Sequence, residues 1–306
     1  MFYYLLKRLG QSVIVVFIVV VLAFLLLQIA PGSPVYLLLP EEATEAQVQA
    51  LEEELGFNKP LPVQFWNYFS NVLRGNLGTS IIYKAPISRL IGERFPNTAR
   101  LALLTIFTGC ILAIPLGIIA GTHRGRLIDV FSMLFALLGQ SMSNMWLGVL
   151  LIFTFAVRLG WVPATGTGGF KYLILPALTM GYPMAASLTR VARSGMVDTM
   201  GEDFITATQA KGISTFDIYT KYALRNAVLP VITMIGVTLG HQLAGAVVTE
   251  SIFGWSGMGQ LLNTSVQSRD YTVVQSLLLV SAILIAIINF IVDIVNSIVD
   301  PRLTLN

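Results

Sequence analysis

Residues 206–230 read TATQAKGISTFDIYTKYALRNAVLP, a polar stretch inside a 306-residue chain that is 55% hydrophobic and only 11% charged. Apolar runs flank it on both sides, and their length decides the fold. A helix of about 20 apolar residues crosses a hydrocarbon core roughly 30 Å thick. Charge-free runs of that order occupy residues 9–30, 101–121, 130–157, 172–189, 227–249 and 272–292. A mean hydropathy of +0.75 lies far outside the range of soluble domains. The expected fold is therefore an all-α integral membrane protein with six transmembrane helices. The third run is long enough to tilt or to hold a break, and the fourth is short and carries Pro176 and Pro183. Lys7 and Arg8 precede the first run as in a signal peptide, but the run is too long for a typical h-region, so residues 1–30 read as a retained helix.

The placement of lysine and arginine orients the chain. With a cytoplasmic N-terminus, ten basic residues fall on the inner side and three in the short outer loops. Both termini are then cytoplasmic, residues 297–306 form a cytoplasmic tail, and residues 31–98 form an extracytoplasmic loop. That loop carries helical patterns in EEATEAQVQALEEELGF (41–57) and PVQFWNYFSNVLRGNLG (62–78), suited to an amphipathic cap on the outer membrane surface. Gly117 with Gly121, and Gly236 with Gly240, place small residues on one helix face for close packing.

Several function classes drop out. The basic residues are dispersed, so nucleic acid is not an expected partner. The lone Cys110 can form neither an intrachain disulfide nor a multi-thiolate metal site. His123 and His241 are the only imidazoles, and H-E-x-x-H, G-x-S-x-G and a phosphate-loop Gly-Lys pair are all missing from the sequence. No catalytic residue, metal site or bound cofactor is expected, and any ATP must be held by a partner. A stand-alone secondary transporter would ordinarily carry an internal repeat and carboxylates within its spans, and an intramembrane enzyme would carry a nucleophile with its base. Neither pattern is evident in this chain.

Polar side chains inside spans are costly and mark candidate pathway positions. Gln140, Ser141, Ser143 and Asn144 cluster on the third run, and His241 and Gln242 lie in the fifth. Hydrogen bonding between helices is the competing use of all six. One histidine beside Gln242 does not make a metal site, which needs three or four converging ligands.

Residues 190–225 hold nine charges, all on the side assigned to the cytoplasm. Within them, residues 203–211 read as a short helix stopped by Gly212. Ser214 reads as the cap of a second helix with its body over 217–227. The expected result is a helix, turn, helix module projecting inward, with a solvated loop as the alternative.

The pattern T-A-x-x-A-K-G at 206–212, followed by A-L-R-N-A-x-L-P-V at 223–231, resembles the cytoplasmic signature of ABC importer permease subunits. More narrowly, it is similar to the first of the two permeases in the dipeptide, oligopeptide and nickel branch. The likeness runs through YLLKRL (4–9), APGSP (30–34), LGFNKPLPVQFWNY (55–68), ILPALT (174–179), ESIFGWSGMGQLL (250–262), RDYTVVQ (269–275) and NFIVDIVNSIVDPR (289–302). The resemblance implies a type I importer fold, with a transmembrane core over 99–296 and a coupling loop at 190–226. It implies a homologous second permease, two cytoplasmic ATPase subunits carrying ATP and Mg, an extracytoplasmic solute-binding protein, and a bacterial or archaeal plasma membrane. The implied cargo is a dipeptide or oligopeptide, with nickel, a metal chelate or glutathione as alternatives.

The resemblance also implies that residues 206–212 form a coupling helix seated in a groove of the ATPase. Ala207 and Ala210 would allow close approach, Gly212 a sharp turn, and Lys211 and Asp217 charges for a protein surface. Pro230 would set how this lever joins the fifth span. The chain departs from the pattern at Thr206, where many importers carry Glu, and Glu202 is the nearest replacement. Ser256 stands between Trp255 and Gly257 where many relatives have proline. The loop that begins at Glu250 and includes Trp255, Gly257 and Gly259 is expected to face the binding protein, with Glu250 either capping the loop or contacting that partner.

Overall fold

The computed structural model describes residues 2–29 and 58–299, together with Thr44, Ala46, Gln47 and Glu53. The APGSP segment, most of the helix expected over 41–57 and residues 300–306 of the tail lie outside the described residues. The helices are α1 (Phe2–Ile29), α2 (Leu61–Leu73), α3 (Ile87–Thr122), α4 (Leu127–Ser141) and α5 (Asn144–Arg158). Then follow α6 (Lys171–Met200), α7 (Asp203–Ala210), α8 (Thr215–Ala227), α9 (Leu229–Leu243), α10 (Val247–Ile252), α11 (Met258–Gln267) and α12 (Tyr271–Val299).

By length and composition, three helical stretches can cross a membrane: residues Leu6–Leu25 of α1, all of α3 and all of α12. Two bent pairs raise the number to five, α4 with α5 across a 100° bend and α8 with α9 across a 50° bend. The break that the third run had room for falls at Met142 and Ser143, both in extended backbone, and Ser143 Oγ then caps α5 by accepting from Met145 N at 3.3 Å.

The expected fourth span lies within α6, which is 30 residues long but too weakly apolar to pass as a span by composition. Its position explains this. Enclosed by other helices, α6 needs a small profile more than an oily one. Ala185, Ala186, Leu188 and Thr189 are fully buried, and the Thr179 and Thr189 hydroxyls donate to their own helix at Leu175 O and Ala185 O. A β-carbon on Gly117 or Gly121 of α3 would lie 2.5 Å from Ala192 Cβ or Met196 Cβ of α6, so the two backbones are nearly in contact. Gly139 of α4 approaches Ala186 of α6 in the same way. Gly236 of α9 leaves room for Val292 of α12.

On the outside, α1 packs along α12, where Arg8 Nε lies 3.4 Å from Asp293 Oδ2. Helix α2 covers α1 through ring contacts of Phe65, Tyr68 and Phe69 with Phe17 and Phe24. Large apolar side chains stay exposed along α1, α4 and α5, among them Ile14, Phe17, Phe131, Leu138, Trp146 and Phe153. In water such a surface would aggregate, whereas hydrocarbon or a partner helix accepts it.

Candidate functional site

Helix α6 runs without a break to Met200, and only Gly201 and Glu202 separate it from α7. On α7, Ile205 and Thr208 are buried, three residues apart on one face. Ile205 joins Met196, Ile218, Ala223 and Ala227 in a compact core beneath the module. The opposite face is open: Glu202, Thr206, Ala207, Ala210, Lys211 and Gly212 are all exposed. Gly212 sits at φ +74° with open space around it, so the left-handed backbone, rather than crowding, requires glycine there.

The second half of the module also forms as expected. Ser214 Oγ accepts from Asp217 N at 3.2 Å and donates to Asp217 Oδ2 at 2.8 Å, closing the first turn of α8. Lys221 Nζ lies 2.6 Å from Asp217 Oδ1. Asp217 is thus engaged within its own helix and is only partly available as a surface charge. Residues Ile218–Ala223 widen into a π-helical turn, and Pro230 stands exposed in the first turn of α9, just past the 50° bend. Sequence reasoning missed the aromatics here: Phe204, Phe216 and Tyr222 are exposed, Phe216 at 74%. The signal was available, because a phenyl ring in an otherwise polar segment needs either a core or a partner.

In the outer loop, Glu250 takes the capping role of its two expected uses. Glu250, Trp255, Gly257 and Gly259 are all buried, so none of them offers a side chain to a docking protein. They hold the loop together instead. Glu250 Oε1 accepts from Thr98 Oγ1 at 2.9 Å and Oε2 from Gln260 N at 2.9 Å, while Thr98 Oγ1 accepts from Met258 N at 2.8 Å. Gly257 is small because a β-carbon would lie 2.5 Å from both Glu250 Oε2 and Thr98 Oγ1. Burial pushes the Glu250 carboxyl above the usual range, and the donors from Gln260 N and Thr98 Oγ1 pull it part of the way back. Trp255 Nε1 donates to Asn97 O at 3.0 Å, and Asn97 Nδ2 donates to Ser256 O at 2.9 Å. Ser256 N donates to Thr167 Oγ1 at 2.7 Å, a bond that a proline at this position could not make.

The polar residues of the spans divide. Gln140 is tied to α6: its Nε2 donates to Ser187 Oγ at 3.0 Å and its Oε1 accepts from Arg190 Nη1 at 2.7 Å. Ser143 and Asn144 are exposed at the 100° bend. His241 is exposed and Gln242 buried, so the two do not converge on one point. A further pair escaped sequence reading. Arg193 Nε and Nη2 donate to Asp129 Oδ1 and Oδ2 at 2.5 and 2.7 Å, and Gly125 N donates to Oδ2 at 2.9 Å. A lone acid heading an apolar run was its only trace in the sequence.

The family model described as the binding-protein-dependent transport system inner membrane component matches residues 113–305, and the model of its N-terminal region matches residues 1–102. The chain belongs to this family. The glutathione transport system permease protein GsiC of Escherichia coli (strain K12) is 38% identical over 300 residues, 98% of each chain, and that of Salmonella typhimurium is 37% identical over the same length. Among solved structures, an inward-facing form of the MetNI methionine ABC transporter superposes with a TM-score of 0.58 at 19% identity, covering 70% of this chain and 97% of that one. It shares the type I permease fold.

As an inner membrane component of a transport system, the chain is a transport subunit. The two family segments are physically joined. Thr98, Asn97 and Arg8 belong to the N-terminal segment, and their partners Glu250, Ser256 and Asp293 to the main one. The outer loop therefore fastens to the first half of α3, and α1 is tied to α12.

Proposed function

We propose that this chain is one of two permease subunits in an ATP-driven importer that carries small peptides, glutathione among them, across the plasma membrane. The observation that carries the reading is α7, a short helix anchored by Ile205 and Thr208 while Glu202, Thr206, Ala207, Ala210 and Lys211 stand clear of the fold. A helix left bare on one side and rooted in a core on the other is suited to a partner's groove. In this reading two cytoplasmic ATPases hold ATP and Mg and grip α7. Their closure tilts α6, and the permease pair alternates between inward- and outward-facing states, a two-state switch biased by nucleotide. Six spans, cytoplasmic termini and delivery by an extracytoplasmic binding protein complete the proposal. The glutathione permeases at 38% identity favour glutathione within the peptide class.

Purification of the tagged chain should bring ATPase subunits with it, and vesicles containing the complex should take up glutathione only with ATP. Replacing Ala207 with Glu, or Gly212 with Val, is expected to leave membrane insertion intact and to abolish ATP-driven uptake. A chain that purifies alone and transports without ATP would refute the reading.

A further inference from the structure

Arg190 is exposed at the inner end of the apolar part of α6, and among the described residues no carboxylate lies within ion-pair distance of it. Arg193, one turn on, is by contrast gripped on two nitrogens by Asp129. Arg190 Nη1 donates to Gln140 Oε1, and Gln140 Nε2 donates to Ser187 Oγ, so the guanidinium is fixed at one corner. The rest of its donor fork has no protein partner among the described residues.

The cluster sits where exposed Ser141, Ser143 and Asn144 lead into the 100° bend between α4 and α5. Close by, α4 and α5 expose Leu137, Leu138 and Met145. A guanidinium without a counterion is costly in hydrocarbon, so its free donors turn to water, a lipid headgroup or a polar partner. A planar fork held at one edge is preorganised for a carboxylate, which it can take through two parallel hydrogen bonds.

We propose that Arg190, positioned by Gln140 and Ser187, binds a carboxylate of the peptide cargo on the translocation path. The inference rests on the peptide reading above and adds the contact residue. It is tested on the full permease and ATPase complex without binding protein, in a Cys110→Ser background carrying Ser141→Cys as a reporter. The rate of maleimide labelling is measured with S-methylglutathione or with its diethyl ester.

S-methylglutathione is expected to slow labelling about threefold, the effect of a ligand at twice its dissociation constant. The ester should give no protection, and Arg190→Gln should remove the protection by the acid while Arg190→Lys keeps part of it. Equal protection by acid and ester, or none by either, overturns the inference, as does protection that survives Arg190→Gln. A dependence on anionic lipid in place of peptide would assign Arg190 to a headgroup and overturn it equally. ATP-driven glutathione uptake by the complex is scored separately, so the substrate reading and this contact can fail independently.

Discussion

Single atoms decide the outer loop. A methyl group on Gly257 has nowhere to go between Glu250 Oε2 and Thr98 Oγ1, each 2.5 Å from its position. Gly257→Ala should cost about 1–3 kcal/mol, the usual range for overpacking a filled site, and a thermal melt in detergent measures it. Glu250 predicts a pH effect. Its carboxyl titrates above the usual range because it is buried, so the folded chain holds its proton to higher pH than the unfolded chain. The stability it contributes is full below the ordinary carboxylate range and is lost as pH rises through the raised value. Glu250→Gln sets a side-chain N–H against one of the two donors, Gln260 N or Thr98 Oγ1, so the variant should melt lower throughout. The melting gap between wild type and variant should narrow as pH rises through that window, and a constant gap would contradict the assignment. The sequence offered loop capping as one use of Glu250, but nothing in ESIFGWSGMGQLL (residues 250–262) named Thr98 and Gln260 as its partners or showed the acid to be buried.

Elements were easier to read than their contacts. Gly212 and Ser214 announced where α7 ends and α8 begins, since a left-handed turn and a side-chain cap are local chemistry. Ser214→Ala should weaken the start of α8 by about 1 kcal/mol, seen as faster amide exchange at Thr215–Asp217. The two G-x-x-x-G pairs were also legible as packing faces, but sequence could not rank them. Gly117→Val should destabilise the α3 and α6 pair strongly, because Ala192 Cβ already stands 2.5 Å from the new carbon. Gly240→Ala should be tolerated, with Ile288 at an ordinary 3.5 Å. Comparing detergent melting temperatures of the two variants checks the order. The π-helical turn at Ile218–Ala223 and the 100° bend had no comparably specific sequence mark, because both depend on what neighbouring helices demand of the backbone.

At the scale of the molecule, hydropathy revealed the membrane class at once but not that α6 packs mostly against other helices. An apolar run signals contact with lipid, whereas most of α6 packs against other helices and is built from small and weakly polar residues. The tie from its Arg193 to Asp129 of α4 is structural. Asp129→Asn should leave the partly buried Arg193 without its counterion and cost about 1.5–3 kcal/mol, the usual range for a hydrogen bond to a charged group, read as a lowered melting temperature in detergent. The footing of α7 has a consequence for how such systems diversify. Only Ile205 and Thr208 of that helix are committed to the interior, so its remaining positions can change with little effect on folding. On the proposed reading, a permease could be re-matched to a different ATPase, or one ATPase shared among several permeases, by altering a handful of side chains and leaving the translocation path as it was.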